Sequence, residues 1–455
     1  MKTINWSLKF IIPLFILCGF YILANEVIRN QTVQLLVVFS VLFALLWFWI
    51  KNYSSLSLIF ILGIFSRMIF MYNIPELSQD FYRFIWDGSI QLLGINPYLF
   101  TPKSLIEIIH FPNADLLYQK MGSLSAGNYS NYPPFSQYLY KILGYFNYFD
   151  LDFPVYILKL IYFGGDIITY FIGIKLLERV NLAPEYIAWY FLNPLLIIEG
   201  IGNLHGEGLM VCFTLISCLY IIQKKTILGG FFLSLSIATK LIPLLVFPLF
   251  YHFLGVRKFL FFSLSLLIFS LCLWLPFYEG EMLIHYKETI DLWFTSFEFN
   301  GSIYNIVRAI GYEVKGYNII KQLGKVTPYI NVGIIIVFTF LPSNRNMKLL
   351  FKNMLFLLSS YFFISTTVHP WYIINLIMLG ILSGYAFPII WSLTVFWSYS
   401  AYGLEEVREV LPIQLTSYLL VYGCLILELI KGPFLWEHFQ KADLFSIQHS
   451  PISPR

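Results

Sequence analysis

Apolar stretches of roughly twenty residues recur along most of this sequence, and they constrain its fold more than any other feature. The segments 33–50, 154–177 and 412–431 are examples. A stretch of about 20 apolar residues crosses the hydrocarbon core of a bilayer as a helix, and a helix satisfies its backbone hydrogen bonds internally, as lipid requires. Only 12% of the residues are charged, against about 25% in soluble domains. The sequence therefore predicts an all-α polytopic membrane protein.

The apolar runs predict about 11–14 transmembrane helices, the number depending on how segments that proline interrupts are divided. The predicted spans are 8–24, 33–50, 54–73, 154–177, 184–200, 202–222, 226–240, 241–254, 258–278, 328–342, 349–368, 371–386, 387–402 and 412–431. The apolar segment 133–149 would break the alternation of the basic loops if it crossed the bilayer. We therefore predict that it is interfacial or re-entrant.

Short basic loops set the predicted orientation. Loops such as those containing Lys51 and Arg179 mark cytoplasmic ends by the positive-inside rule. The two long connections, 74–153 and 279–327, then lie on the extracytoplasmic side. We predict a single membrane domain over 1–431, followed by a short cytoplasmic tail over 432–455.

Charge and cysteine content exclude other classes of protein. The net charge of +4 is spread over short loops, which indicates membrane orientation and not binding to nucleic acid. The five cysteines lie in apolar runs without a histidine at metal-ligand spacing, so we expect small buried side chains and no metal site. Glycine-rich nucleotide-binding motifs do not occur, which disfavours an ATP-driven pump.

The stretch Ser78–Gly94, SQDFYRFIWDGSIQLLG, follows the third apolar run. At 100° per residue a helix places Asp80, Arg83 and Asp87 on one narrow arc and apolar residues on the opposite half. This pattern is typical of a helix in the membrane interface with its apolar side in lipid. It allows two interpretations: a helix that carries salt bridges, or a carboxylate held as a general base, with Arg83 as its orienter or as a phosphate ligand.

Tyrosines in the first long connection are candidate sugar contacts. Tyr98 lies in the turn-rich segment 94–102, and Tyr132 lies in the proline-containing segment 128–137. A flat ring with a hydroxyl group suits stacking against a sugar. The alternative is an ordinary tyrosine of the interfacial aromatic belt.

Polar residues gather at a predicted external helix boundary in the segment 193–210. They are Glu199, Asn203, His205 and Glu207. Ionisable groups at a membrane edge usually face a cavity, because exposing them to lipid is costly. We expect Asn203, His205 and Glu207 to form a hydrogen-bonded substrate site and not a metal site, since the i, i+2 spacing of His205 and Glu207 on a helix is poor for shared ligation.

Two further segments contribute candidates. The segment 297–312 contains Asn300, a candidate substrate contact, and Arg308, a candidate phosphate ligand. His369, at the start of a later apolar run, is a weaker candidate donor to phosphate. The alternatives are a salt-bridging loop arginine and an interfacial histidine with satisfied hydrogen bonds.

An ordered set of motifs resembles the GT-C superfamily of polytopic glycosyltransferases. The motifs are DFYRFIWDG with GINPY, NYPPFSQ, NPLLIIEGIGNLHGEGLM, ATKLIPLLVFP, FEFNGSIYNIVRAIGY and HPWY, which run in this order from Asp80 to Tyr372. Within the superfamily the chain resembles bacterial polyprenol-phosphate-mannose-dependent mannosyltransferases. The set covers about two-thirds of the chain and is more specific for the superfamily than for the sugar.

The resemblance implies a GT-C-like helical bundle with long extracytoplasmic loops that carry interfacial helices, in the bacterial cytoplasmic membrane. It implies a polyprenyl phosphate sugar as donor, and transfer on the extracytoplasmic face with inversion. Family enzymes carry a catalytic acidic residue early in the first external loop, a place that Asp80 matches, with Asp87 as second choice. Many relatives carry histidine followed by aspartate where this chain has His205-Gly206-Glu207. The first two predicted spans look like an addition to the family pattern.

The chemistry of transfer fits the same residues. A carboxylate that accepts a proton helps an acceptor hydroxyl attack the anomeric carbon, and the phosphate leaving group needs positive charge as its bond breaks. We nominate Arg83, Arg308 and His369 for the phosphate. The donor is already activated, so no cofactor is expected, although a divalent metal is left open. The expected partners are the lipid-linked donor, a glycan or lipid acceptor, and membrane lipid.

A transporter or flippase of a lipid-linked sugar is the alternative function. It would carry charged residues mid-span on several helices, whereas this sequence concentrates them at the predicted external edge. A structural or assembly subunit is the third reading, and it would tolerate loss of every carboxylate named above. The charge distribution favours the enzyme.

Overall fold

The computed structural model describes residues 6–403 and 406–433. This part of the chain is mostly helical, and its β pairing is limited to one isolated bridge between Phe299 and Thr367. The prediction of an all-α polytopic membrane protein is confirmed. Most of the predicted tail, from residue 434 onward, lies outside the described residues.

Helices of ten or more residues are numbered here in chain order. They are α1 Trp6–Asn25, α2 Thr32–Tyr53, α3 Leu56–Phe70, α4 Asp80–Leu92, α5 Pro134–Phe146, α6 Asp152–Arg179, α7 Glu207–Ile222, α8 Thr226–Thr239, α9 Val256–Trp274, α10 Met282–Thr295, α11 Ile303–Lys315, α12 Ile320–Thr339, α13 Met347–Ile364, α14 Ile374–Ser383 and α15 Leu411–Lys431. Shorter helical turns connect them, including a π-helix at Leu196–Gly202 and two turns at Phe387–Thr394 and Val395–Tyr402.

Fewer helices than predicted are long enough to cross a bilayer. Six described helices meet the length and hydropathy needed, namely α1, α2, α6, α9, α13 and α15. A seventh span results if Leu196–Gly202 and α7, which meet at a bend of 108°, are counted together. Helices α3 and α8, the helical segment 242–254, and α14 with the turn before it (370–383) are apolar but shorter. Four of the predicted spans therefore fall on helices too short to cross the core unaided.

The predicted span 184–200 is interrupted. Two short helical turns, Pro184–Ile187 and Ala188–Phe191, precede Asn193, and the π-helix follows. Pro194 lacks the backbone N–H that a continuous helix would use. Segment 133–149 forms α5, whose 13 residues cover only about 20 Å at 1.5 Å per residue, so it does not cross the bilayer.

Helix α4 is an internal helix, which corrects the prediction that its apolar side lies in lipid. Phe81, Trp86 and Ile90 are each no more than 1% exposed, and the ring of Trp86 packs edge-on against Phe111. The amphipathic pattern correctly predicts one polar and one apolar side. The apolar side, however, meets protein, chiefly α5.

Two glycines allow α4 and α5 to touch through their backbones. A Cβ atom at Gly88 would lie 1.7 Å from the carbonyl oxygen of Tyr140, and one at Gly144 would lie 2.3 Å from the carbonyl carbon of Gly88. Small residues permit such close helix approach. The crossing fixes the position of α4, and with it the position of Asp80 at its first residue.

Buried cations hold the end of α3, from which the chain leads toward α4. Arg67 pairs with Asp166 of α6 at 2.8 Å and donates a hydrogen bond to the carbonyl of Phe191 at 2.9 Å. The ammonium group of Lys159, also on α6, donates to the carbonyls of Phe70 and Asn73. These bonds satisfy carbonyls that the end of a helix leaves without partners. Asp166, a polar residue inside a predicted span, is thus engaged structurally.

Candidate active site

A cavity of about 500 Å³ lies at the N-terminal end of α4. Its walls come from the segment before α4, the loop before α5, the end of α10, the segment before α14 and the last helical turn before α15. Lining residues that carry polar or aromatic groups include Arg29, Ser78, Asp80, Arg83, Asn128, Tyr129, Ser130, Tyr132, Lys240, Thr289, Phe297, Phe299, His369, Trp371, Tyr372, Tyr399 and Tyr402. The predicted site residues Asp80, Arg83, Tyr132 and His369 are thus brought together around one space.

Asp80 is the carboxylate open to this cavity. It is the first residue of α4, where the helix dipole favours negative charge, and its side chain is 39% exposed. Its Oδ2 lies 3.7 Å from Nε2 of His205. Burial acts to raise the pKa of Asp80, but the neighbouring His205 outweighs burial and holds that pKa below its usual value. Asp80 is therefore ionised at neutral pH and free to accept a proton.

His205 is held by a second, fully buried carboxylate, Glu199. Nδ1 of His205 lies 3.2 Å from Oε2 of Glu199. The same carboxylate accepts from the hydroxyl of Tyr399 at 2.8 Å and from the amide of Asn203 at 3.2 Å. The wide π-helical turn, followed by a left-handed Leu204 with φ of 63°, brings Glu199 and His205 to the same point. Such π turns are frequent at functional sites.

Four rings stack in a row beside the cavity, and three of them, Trp371, His369 and Phe299, line it. His205 lies against Trp371 at 3.6 Å between ring centres, Trp371 against His369 at 4.4 Å, and His369 against Phe299 at 5.1 Å. Burial lowers the pKa of His369 to about 3. His369 is therefore a neutral imidazole at physiological pH, able to donate one hydrogen bond without carrying charge.

Arg83 is mostly engaged in holding the fold. Its Nε lies 2.6 Å from Asp87, and one terminal nitrogen donates to the carbonyls of Ser125 and Asn128. The other terminal nitrogen, Nη2, is buried without a hydrogen-bond partner among the described residues. Arg83 thus joins the loop before α5 to α4 and keeps one donor for a ligand.

Asp87, the second candidate for the base, is sequestered. It is fully buried and accepts hydrogen bonds from Ser130 at 2.6 Å and Gln137 at 3.0 Å in addition to Arg83. It does not line the cavity. These three partners occupy both oxygens, and the residue acts as a structural anchor between α4 and α5.

Lys240 and Glu207 form a buried pair at the cavity edge. The ammonium group of Lys240 contacts Oε1 of Glu207, and Glu207 is fully buried whereas Lys240 lines the cavity. Within residues 6–403 and 406–433, no group of three potential metal-ligating side chains occurs. Glu207 therefore acts as the counter-ion of Lys240 and does not face the cavity.

Arg29 is a cavity residue that sequence reasoning missed. It lies in the connection between α1 and α2, donates to the carbonyl of Leu77 at 3.3 Å, and its guanidinium carbon lies 4.5 Å from the ring centre of Tyr402. Among the described residues no carboxylate lies within 4.0 Å of it. The sequence did contain a signal for Arg29. The predicted orientation places the connection between α1 and α2 on the extracytoplasmic side, where arginine is unusual.

Four other candidates lie away from the cavity. Tyr98 is buried and donates to the carbonyl of Tyr132 at 2.6 Å, and Asn203 belongs to the Glu199 cluster. Arg308 pairs with Glu298 at 2.9 Å and with Glu409 at 3.7 Å. Asn300 is buried beside the same Glu409 and donates to the carbonyl of Val368. None of the four lines the cavity.

The fold and the cavity define a polytopic membrane protein with an ionised carboxylate and cationic groups around a polar, aromatic-walled pocket, as a glycosyltransferase requires. Residues 19–255, just over half of the chain, match the family model described as alpha-(1->6)-mannopyranosyltransferase, N-terminal domain. The chain belongs to this family, which is a GT-C-type mannosyltransferase family. The expected superfamily is thereby confirmed. No curated protein matches the chain.

Proposed function

We propose that the protein transfers mannose from a polyprenyl phosphate mannose to a hydroxyl group of a glycan or lipid acceptor on the extracytoplasmic face, with inversion and with Asp80 as general base. Family membership supports a membrane mannosyltransferase. The observation that carries the finer proposal is the ionised Asp80, partly exposed in a cavity that also receives arginine side chains.

The site contains what a single displacement needs. Asp80 accepts the proton of the acceptor hydroxyl as that oxygen attacks the anomeric carbon. The electron pair of the breaking bond leaves with the donor phosphate, whose charge needs donors fixed in advance. The neutral His369 supplies one donor, and aromatic residues of the wall, such as Tyr132 and Trp371, offer flat faces to the sugar.

Arg29 is the proposed main ligand of the donor phosphate, with the free Nη2 of Arg83 beside it. Both arginines line the cavity, and arginine binds phosphate through paired, charge-assisted hydrogen bonds. Arg308 is not proposed for this role, because two carboxylates already neutralise it outside the cavity.

The experiment that tests the function uses purified protein in detergent with radiolabelled polyprenyl phosphate mannose and a panel of glycan and lipid acceptors. A new mannosyl product, with consumption of the labelled donor, supports the proposal. Movement of labelled lipid across vesicles without any glycosidic product would instead identify a flippase and overturn it.

Substituting Arg29 tests the phosphate ligand. Because a hydrogen bond to a charged group contributes about 1.5–3 kcal/mol, Arg29→Met should lower kcat/KM for the donor by roughly 10- to 100-fold, chiefly through KM. The measurement is steady-state transfer at varied donor concentration.

Arg308→Met is the matched control for Arg29, since it removes the same charge outside the cavity. It should leave donor KM near that of wild type, with at most a lower melting temperature. Equal effects of the two substitutions on donor KM would remove Arg29 as the specific phosphate ligand.

A further inference from the structure

Three ionisable side chains form a line that leads from the cavity into the protein. Asp80 faces the cavity, His205 lies behind it at 3.7 Å, and Glu199 lies behind His205 at 3.2 Å. His205 is 2% exposed and Glu199 is fully buried. The line ends where Tyr399 and Asn203 donate to Glu199. Asp80 lies on α4, Glu199 lies in the π-helix and His205 follows it. Tyr399 lies in the last helical turn before α15.

The hydrogen bonds of Glu199, at the buried end of this line, are complete, whereas the contact between His205 and Asp80 contains no hydrogen bond. Both oxygens of Glu199 accept hydrogen bonds. It accepts from Nδ1 of His205, which fixes the tautomer with hydrogen on Nδ1. Nε2 of His205 is buried without a hydrogen-bond partner among the described residues, and a buried polar atom left unpaired costs about 1–3 kcal/mol. Nε2 faces Oδ2 of Asp80 at a distance of 3.7 Å.

We propose that His205 takes the proton that Asp80 removes from the acceptor, and that Glu199 is the positioning residue that holds His205 and stabilises its protonated form. This proposal rests on the proposed role of Asp80 as base. The acceptor O–H bond breaks as its oxygen bonds to the anomeric carbon, and the proton passes to Oδ2 of Asp80 and then to Nε2 of His205. The leaving phosphate keeps the electron pair of the broken bond. The proton returns through Asp80 to water after the product leaves.

Two features of the surroundings suit an imidazolium at this position. The positive charge would lie between two carboxylates, which offsets the cost of burying it. The indole of Trp371, stacked 3.6 Å from the imidazole, offers the ring face that cations prefer. The other titratable groups near these three residues are Lys240, which is paired with Glu207, the neutral His369, and the phenols of Tyr132, Tyr372 and Tyr402.

The proposal predicts how activity depends on pH. His205 can accept a proton only while it is neutral, so kcat should fall as pH falls through the pKa of His205. Glu199→Gln removes the anion that stabilises the imidazolium, which lowers the pKa of His205. The acid limb of the kcat profile should therefore move to lower pH. Tyr399→Phe removes a hydrogen-bond donor to Glu199, which strengthens the interaction of Glu199 with His205. The acid limb of the kcat profile should therefore move to higher pH.

The test compares Glu199→Gln, His205→Gln, the double variant and Tyr399→Phe in the mannosyl transfer assay. We expect each glutamine variant to lower kcat by roughly 10- to 100-fold with donor KM within about twofold. The kcat of the double variant should equal that of the less active single variant, because the two residues act as one unit. Glu281→Gln is the control, since Glu281 is an exposed carboxylate that also pairs with a histidine, His285, 3.5 Å away. It should change neither kcat nor the pH profile.

Several outcomes would overturn this inference. The first is a double variant whose loss of kcat is the sum of the two single losses, in free energy. The second is an effect on KM alone. The third is a kcat–pH profile whose acid limb stays at the wild-type pH in both Glu199→Gln and Tyr399→Phe. Tyr399→Phe keeps the test decisive if Glu199→Gln does not fold, because it leaves every charge intact. Failure of the underlying function looks different: wild-type protein would form no mannosyl product, or Asp80→Asn would remain active.

Discussion

Asp80→Asn should lower the rate of mannosyl transfer by at least about 100-fold, the lower end of what general base catalysis contributes. The substitution keeps the size of the side chain and its place at the first residue of α4. It removes only the ability to accept a proton. Donor KM should stay close to that of wild type, because the proposed phosphate ligands are Arg29 and Arg83. The measurement is steady-state transfer by purified protein in detergent.

Asp87→Asn is the control variant for Asp80→Asn, because Asp87 is the other candidate for the base. Asp87 is fully buried, pairs with Arg83, and also accepts from Ser130 and Gln137. Its substitution should lower the melting temperature, since breaking a buried ion pair costs several kcal/mol, while the folded fraction keeps its turnover. Near-normal transfer by Asp80→Asn, together with loss of turnover in folded Asp87→Asn, would move the base from Asp80 to Asp87.

The sequence predicted the helical fold and the helix that contains Asp80, because both follow from local patterns. Apolar runs mark membrane helices, and the predicted spans 33–50 and 412–431 fall within α2 and α15. Helix α4 shows the limit of such patterns. Amphipathic periodicity separates a polar from an apolar side, but it does not distinguish lipid from protein beyond the apolar side. The count of spans exceeded the number of full-length helices for a related reason, since hydropathy does not reveal where proline and π turns end a helix.

The residues that sequence reasoning misassigned are those whose partners are distant in the chain. Arg308 had the chemistry of a phosphate ligand, but Glu409, about a hundred positions later, neutralises it together with Glu298. Arg29 was overlooked because it precedes every motif of the family pattern, although it reaches the cavity. Glu199 belonged to the polar cluster that the sequence marked. Its link to His205 follows from a π turn that periodicity cannot foresee.

The position of Asp80 depends on a contact in which no side chain takes part. At the crossing of α4 and α5, a Cβ at Gly88 would lie 1.7 Å from the carbonyl oxygen of Tyr140. That oxygen belongs to the backbone of α5, so no rotamer change relieves the overlap, and the two helices would have to separate. Overpacking in a well-packed interior costs about 1–3 kcal/mol when side chains can adjust, and here they cannot.

Gly88→Ala should therefore destabilise the protein by at least about 3 kcal/mol, the upper end of that range, and it should also abolish transfer by displacing the start of α4. Gly164→Ala is the matched control, because Gly164 is also helical, in α6, and a Cβ there would meet nothing within 4 Å. The same mutation at that site should leave stability unchanged or raise it by up to about 1 kcal/mol. Melting temperature in detergent, read beside transfer activity, distinguishes the two. If Gly88→Ala melted like Gly164→Ala and retained activity, α4 and α5 could not be in backbone contact, and the placement of Asp80 beside His205 would lose its structural support.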